Sequence, residues 1–227
     1  MVSFKDFVQI MKGIYDNKSL CRILQNIECD RISLSGNIIE FGAEPLSKNN
    51  FSSIVKKIKV KKIDFSDKFI KKAGVINADL NEKTSLKKNY YNNVLLFNVM
   101  EHLINIDNAK KEIKKILKKN GKLIGSTPFL YRFHGAPSDY LRFTKPFLNI
   151  FLKKDFKVLE VKNLGFGPFC LCYSFLFDFT KKIPFLNLII FPITFLLDAI
   201  LNFFVKYDLK DIYPIALFFY VKKKWIK

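Results

Sequence analysis

Arginine is scarce: Arg22, Arg31, Arg132 and Arg142 are the only four among 39 basic residues. Proteins that read phosphates or bases lean on the bidentate guanidinium. A formal charge of +19 carried almost wholly by lysine therefore points away from nucleic acid. Lysines scattered over helix faces make a solvated surface or meet an anionic membrane. Cys21, Cys29, Cys170 and Cys172 form no CxxC pair and no zinc spacing with His102 and His134, the only histidines. Reduced, buried thiols in a cytosolic protein are the expectation. The N-terminus lacks a continuous apolar core, because Lys5, Asp6 and Lys12 interrupt it, so no signal peptide is read there. No internal repeat stands out, and lysine bias is the sole low-complexity feature.

What is present is enough for one ordinary domain with an extra module, since 49% of the 227 residues are hydrophobic. Val94 to Thr144 is the organising stretch. Val94–Phe97 is a short apolar run, the pattern of a strand buried on both faces. Ile106, Ala109, Ile113, Ile116 and Leu117 follow at helical spacing, Asn120-Gly121 reads as a stop, and Lys122–Ser126 is a second strand. A strand–helix–strand crossover is right-handed and makes its strands parallel, and ligands collect beyond the carboxyl ends of such strands. Further strands are read at Ile38–Phe41, Val60–Phe65, Val75–Asp79, Phe156–Val161 and Ile215–Val221. Phe51–Ile58 suits a two-turn helix and Lys68–Lys72 barely one turn. Two N-terminal helices are marked by Phe4, Phe7, Val8, Met11 and by Leu20, Ile23, Leu24, Ile27. Thr144 with Pro146 opens another helix.

The run Asn98-Val99-Met100-Glu101-His102 after the fourth strand resembles a motif of class I S-adenosylmethionine-dependent methyltransferases of the type 11-like branch. So does His134-Gly135-Ala136-Pro137-Ser138-Asp139-Tyr140-Leu141-Arg142-Phe143-Thr144 after the fifth, and the likeness runs from Asn37 to Phe166. The resemblance implies an α/β, Rossmann-like sheet of about seven strands with the last antiparallel, and S-adenosyl-L-methionine as cofactor. It places Glu40 at the amino end of the methionine moiety, Gly42 at a family glycine, Asp64 at the ribose hydroxyls and Asp79 at the adenine amino group. Asn98 joins this cofactor set. Glu44 stands where the family carries its next glycine, so its side chain either crowds the cofactor or turns outward.

Methyl transfer asks the protein to position an acceptor and remove its proton. His134 is the candidate base, because an imidazole titrates near neutrality. Asp139 would orient it or a sugar hydroxyl, Tyr140 would stack on or hydrogen-bond the acceptor, and Arg142 would hold a phosphate or carboxylate. Glu101 is counted with these substrate contacts. Competing readings are that Asp139 and Arg142 pair to pin the loop, and that Glu101 is only a first-turn carboxylate. No metal is expected, since Asn98 replaces the first acid of the Glu-x-x-Glu-His cluster found in metal-using relatives.

Between the sixth and seventh strands lies a hydrophobic helical insertion. Phe169–Phe179 is almost wholly apolar, and Ile183–Val205 has bilayer length with Lys181, Lys182 and Lys206 at its ends. A single crossing would strand the last strand on the far side, so shallow monotopic insertion is expected; a soluble subdomain or dimer interface is the alternative. If the last strand is antiparallel, the insertion leaves and returns at the carboxyl edge of the sheet. The domains read as 1–36 (N-terminal helices), 37–168 (methyltransferase core), 169–211 (insertion) and 212–227 (last strand and basic tail). The resulting expectation is a cytoplasmic enzyme, peripheral or monotopic on the inner face of the membrane, methylating a lipid-linked or saccharide acceptor. A degenerate scaffold of the same fold, and less so an RNA methyltransferase, are the rivals.

Overall fold

The structure, a computed structural model, describes residues 3–135 and 138–224. Ala136 and Pro137 of the second motif lie outside the described residues. Two helices come first, α1 (Phe4–Tyr15) and α2 (Leu20–Asp30). Ser3 and Asp6 close a reciprocal capping box at the start of α1. The strands are β1 (Ser33–Phe41), β2 (Lys56–Ser66), β3 (Val75–Ile76), β4 (Tyr91–Phe97), β5 (Leu117–Pro128), β6 (Phe156–Leu164) and β7 (Ala216–Lys223). The remaining helices are α3 (Ile106–Ile116), α4 (Lys145–Lys153), α5 (Pro168–Thr180), α6 (Pro184–Phe204) and the short α7 (Leu209–Ile212).

The strands form one mixed sheet in the order β3-β2-β1-β4-β5-β7-β6. β1 pairs in parallel with β2 and β4, and β4 with β5. The runs Ile38–Phe41 and Val94–Phe97 are buried throughout, as strands covered on both faces must be. β7 runs the other way. The Ile215 amide donates to Leu164 (2.8 Å) and the Lys224 amide to Asp155 (3.3 Å); one index rises as the other falls, which only an antiparallel pair does.

Three local readings are corrected. Phe51–Ile58 is no two-turn helix: a single 3₁₀ turn covers Phe51–Ser53 and β2 begins at Lys56. Lys68–Lys72 holds no helix, and β3 is only two residues long. Asn120-Gly121 lies inside β5. The helix has already stopped at Ile116, and the pair (Asn120 at φ +61°) makes a bulge between Leu117, opposite Tyr91, and Lys122, opposite Asn93.

The chain divides into two compact units. One holds 29–127, 134–162 and 218–227, with the parallel strands, α3 and α4. Asn105 caps α3 by accepting the Asn108 amide (3.1 Å). Thr144 accepts the Phe147 amide to cap α4, whose Pro146 suits the first turn. The other unit holds 1–28, 128–133 and 163–217, with α1, most of α2, and α5 to α7. Asp198 of α6 accepts the amides of Phe169 (3.0 Å) and Cys170 (2.8 Å) at the start of α5. Asn187 bonds to Thr180 at the other end. The two helices are therefore an antiparallel hairpin.

Candidate active site

Beyond the carboxyl ends of β1, β2 and β4 opens a cleft of about 340 Å³. Gly42, the first residue after β1, has φ +71°, and a Cβ there would meet Val99 Cγ2 at 2.9 Å. Its amide donates to Ser66 (2.8 Å), tying the β1 exit to the β2 exit. Asn98 also takes a left-handed conformation (φ +53°), which asparagine tolerates better than most side chains. Its amide donates to Ser126 (2.8 Å). Both turns present backbone to the cleft.

The sequence-predicted acids do not all converge there. Glu40 is buried, and its carboxylate accepts the amides of Phe51 (2.7 Å) and Ser52 (2.9 Å). It braces the loop after β1 from beneath rather than lining the cleft. Asp64 lies two residues before the end of β2 and accepts the Tyr91 hydroxyl (2.9 Å) while pairing with Lys62 (2.9 Å). Asp67, just past the strand, lines the cleft instead. Its Oδ1 accepts the amides of Phe69 (2.6 Å) and Ile70 (3.0 Å). Asp79 does line the cleft, bonded to Asn81 and ion-paired with Lys68. Burial would raise its pKa, but Lys68 and the two Asn81 bonds outweigh that and hold it low. Glu44 turns outward to Lys72 (2.5 Å) and is not among the residues lining the cleft.

On the other wall, His134, Ser138 and Tyr140 face the cleft, and so does His102. The two imidazole centroids are 5.8 Å apart. His102 Nδ1 bonds to the Ser138 carbonyl. A carbonyl only accepts, so Nδ1 is the donor in this bond. His102 is the site residue that sequence reasoning passed over, having weighed it only as a metal ligand; its spacing after β4 was the available signal.

Asp139 does not orient the His134 ring. Its carboxylate forks onto Arg142 and accepts the His134 backbone amide (2.9 Å). The Arg142 guanidinium leads in holding the Asp139 carboxyl below its usual range. Arg142 is thus spent on Asp139 and is not among the lining residues. Glu101 is likewise beneath the site. It is 3% exposed, and its backbone carbonyl accepts the amides of Tyr140 (2.8 Å) and Leu141 (3.3 Å). Burial pushes its carboxyl up to about 8, only partly offset by a backbone bond, Arg142 and the Thr127 hydroxyl. Among the described residues no cluster of three or more His, Cys, Asp or Glu could hold a metal ion.

Residues 44–125 match the family model described as a methyltransferase domain. Solved structures similar over most of the chain include a methyltransferase dependent on S-adenosylmethionine from Archaeoglobus fulgidus. It has a TM-score of 0.53 and 13% identity, over 89% of this chain and 94% of that one. Phosphoethanolamine N-methyltransferase 2 of Haemonchus contortus, bound to S-adenosyl-L-methionine, gives 0.53 and 16%, over 99% of this chain and 61% of that one. The [4+2]-cyclase SpnF gives 0.52 and 11%, over 89% and 80%. No curated protein matches the sequence.

The fold is the class I methyltransferase fold. Together with the domain match it supports an S-adenosylmethionine-dependent methyltransferase, with S-adenosylmethionine as cofactor. The residues of this methyltransferase fold suit that cofactor. Gly42 leaves backbone where a Cβ would not fit, and Asp67 and Asp79 set two carboxylates at the cleft wall. Gly42, Asp67, Asp79 and Asn98 are the residues that would hold it.

Proposed function

We propose that the chain transfers a methyl group from S-adenosylmethionine to a hydroxyl of a lipid-linked or saccharide acceptor at a membrane surface, in the assembly of a surface polysaccharide. The cofactor supplies an activated methyl group; the chain positions the acceptor and takes its proton. His134 and His102, with Tyr140 beside them, stand on one wall of the cleft, and a neutral imidazole is the side chain suited to that proton near neutral pH. Asp139 and Arg142 fix the loop that carries His134. The observation that carries the reading is the pairing of this wall with the carboxylates of Asp67 and Asp79 in one cleft.

The membrane side rests on α6, the one helix among the described residues long and apolar enough to cross a bilayer. A protein holding it at the inner face of a membrane meets amphiphilic acceptors without their leaving the lipid. The rival reading, a scaffold that kept the fold and lost transfer, drew on Glu44, and the outward Glu44–Lys72 pair removes its main support.

Tritiated S-adenosylmethionine supplied to lysate with the purified chain, followed by extraction, tests the proposal. Label should enter the lipid or polysaccharide fraction. Label in RNA, or in nothing while S-adenosylhomocysteine still binds by calorimetry, would overturn it.

A further inference from the structure

α6 is built inside out. The residues it turns toward its neighbours are spaced four, three and four apart: Asn187, Phe191, Thr194 and Asp198. Three of the four are polar, and Asn187, Phe191 and Asp198 are each at most 2% exposed. Asn187 and Asp198 bond the two ends of α5, and Thr194 meets Cys170. Gly167 makes the closest approach possible, since a Cβ there would lie 2.5 Å from the Asp198 carboxylate. The opposite face of α6 carries Phe185, Ile189, Ile193, Leu196, Ile200 and Phe203, each about half exposed or more. A soluble helix shows the reverse arrangement.

The face continues onto α1. Phe7 packs against Phe195 (centroids 5.6 Å) and Tyr15 against Phe185 (6.3 Å). That leaves Phe4, Val8 and Tyr15, one helical stripe, at 84%, 49% and 54% exposure. Phe175, Leu176 and Phe179 of α5 are exposed too. Soluble monomers seldom show contiguous apolar patches of more than a few hundred Å².

Crossing the bilayer is excluded by the exit and return of the chain. It leaves β6 at Leu164 and returns at Ile215, and those two residues share a hydrogen bond. α5, with 13 residues, is about 20 Å long, short of a hydrocarbon core of about 30 Å. Lys181 and Lys182 stand exposed at the hairpin tip and Lys206 beyond the far end of α6. With crossing excluded, cations at both ends of one apolar helix reach the headgroups of the same leaflet when the helix lies in the membrane plane. With the whole chain at +19, the complementary surface is anionic.

We infer that α1, α5 and α6 form a monotopic face that lies flat in one leaflet of an anionic bilayer. The inference deepens the membrane side of the proposed function by naming the partner and the depth, and it gives the N-terminal helix a membrane role.

The full chain is sedimented with vesicles of phosphatidylcholine alone and with added phosphatidylglycerol. Binding should be strong only with the anionic lipid. It should fall at least tenfold in Phe185→Asp/Ile193→Asp/Phe203→Asp, and measurably in Phe4→Asp/Val8→Asp. Should the triple variant fail to fold, Phe185→Trp and Phe203→Trp read the orientation: lipids brominated high on the acyl chain should quench both additional tryptophans equally. No sedimentation with either vesicle, unchanged binding of the triple variant, quenching of one position only, or a stable dimer that ignores vesicles would each overturn the inference. S-adenosylhomocysteine binding by calorimetry, followed in the same samples, reports on the cofactor cleft separately. Its loss counts against methyl transfer and leaves the membrane face standing.

Discussion

Asp64 and Asp67 lie three residues apart where β2 leaves the sheet, and their surroundings separate their roles. Asp64 is held by Tyr91 and Lys62, whereas Asp67 faces the cleft. Asp67→Asn should weaken S-adenosylhomocysteine binding about tenfold, the loss of roughly 1.4 kcal/mol that one hydrogen bond to a charged group accounts for. Asp64→Asn should leave affinity within about twofold and instead lower thermal stability by roughly 1 kcal/mol through the Tyr91 bond. Calorimetric titration beside thermal melts separates the two, and equal affinity losses would contradict the assignment. Glu101 gives a second prediction at this scale. Its folded pKa, about 8, lies above the usual carboxylate value near 4.3, so the folded state holds the proton more tightly. The resulting stability is full below the unfolded pKa and is lost as pH rises through about 8, with a slope of at most about 1.4 kcal/mol per pH unit. Glu101→Gln, which cannot ionise, should flatten that decline in melts taken between pH 5 and 9, while a parallel decline in both proteins would place the cause elsewhere.

At the scale of elements, the α5–α6 hairpin depends on Asp198, a 2% exposed carboxylate that satisfies the two amides opening α5. Asp198→Ala orphans both and removes a favourable charge from a helix N-terminus. Chemical unfolding of the full chain should show a loss of about 2–3 kcal/mol, as for other caps and buried unsatisfied amides. A loss under about 0.5 kcal/mol would mean the hairpin is held by its aromatic contacts. Elements of this kind were legible to different degrees. Buried parallel strands announce themselves as apolar runs, so Ile38–Phe41 and Val94–Phe97 could be placed from the sequence, and Thr144-x-Pro146 marks a helix start by local chemistry alone. Phe51–Ile58 misled because its apolar spacing fits a helix, whereas from Lys56 onward the chain is drawn into pairing with β1. Tertiary pairing overrides propensity in such short segments. The site was harder to read than the fold. Which of Asp64 and Asp67 reaches the cleft depends on where β2 ends, and strand ends are set by the partner strand. Likewise the Glu40 carboxylate went to a loop that no spacing could reveal, and His102 was paired with Ser138 across 36 residues.

At the scale of the whole molecule, the surplus of lysine sets how the chain responds to salt. A net charge of +19 repels itself in the compact state, and raising ionic strength from 0.02 to 0.3 M shortens the screening length from roughly 20 Å to about 6 Å. The melting temperature should therefore rise by a few degrees over that range, the reverse of what a fold resting mainly on surface ion pairs would show. Membrane and nucleic-acid readings then part company. Attraction to RNA by lysine alone is a counterion-release effect, so RNA retained on the protein at 0.05 M salt should be largely released by 0.2 M. Partition onto anionic vesicles should weaken in the same interval yet persist, because the exposed phenylalanines and isoleucines of α1 and α6 contribute apolar burial that salt does not screen. Filter retention of a labelled RNA and vesicle sedimentation, run side by side across the salt series, decide between them. If RNA holds and vesicles let go, the lysines belong to a nucleic-acid surface after all.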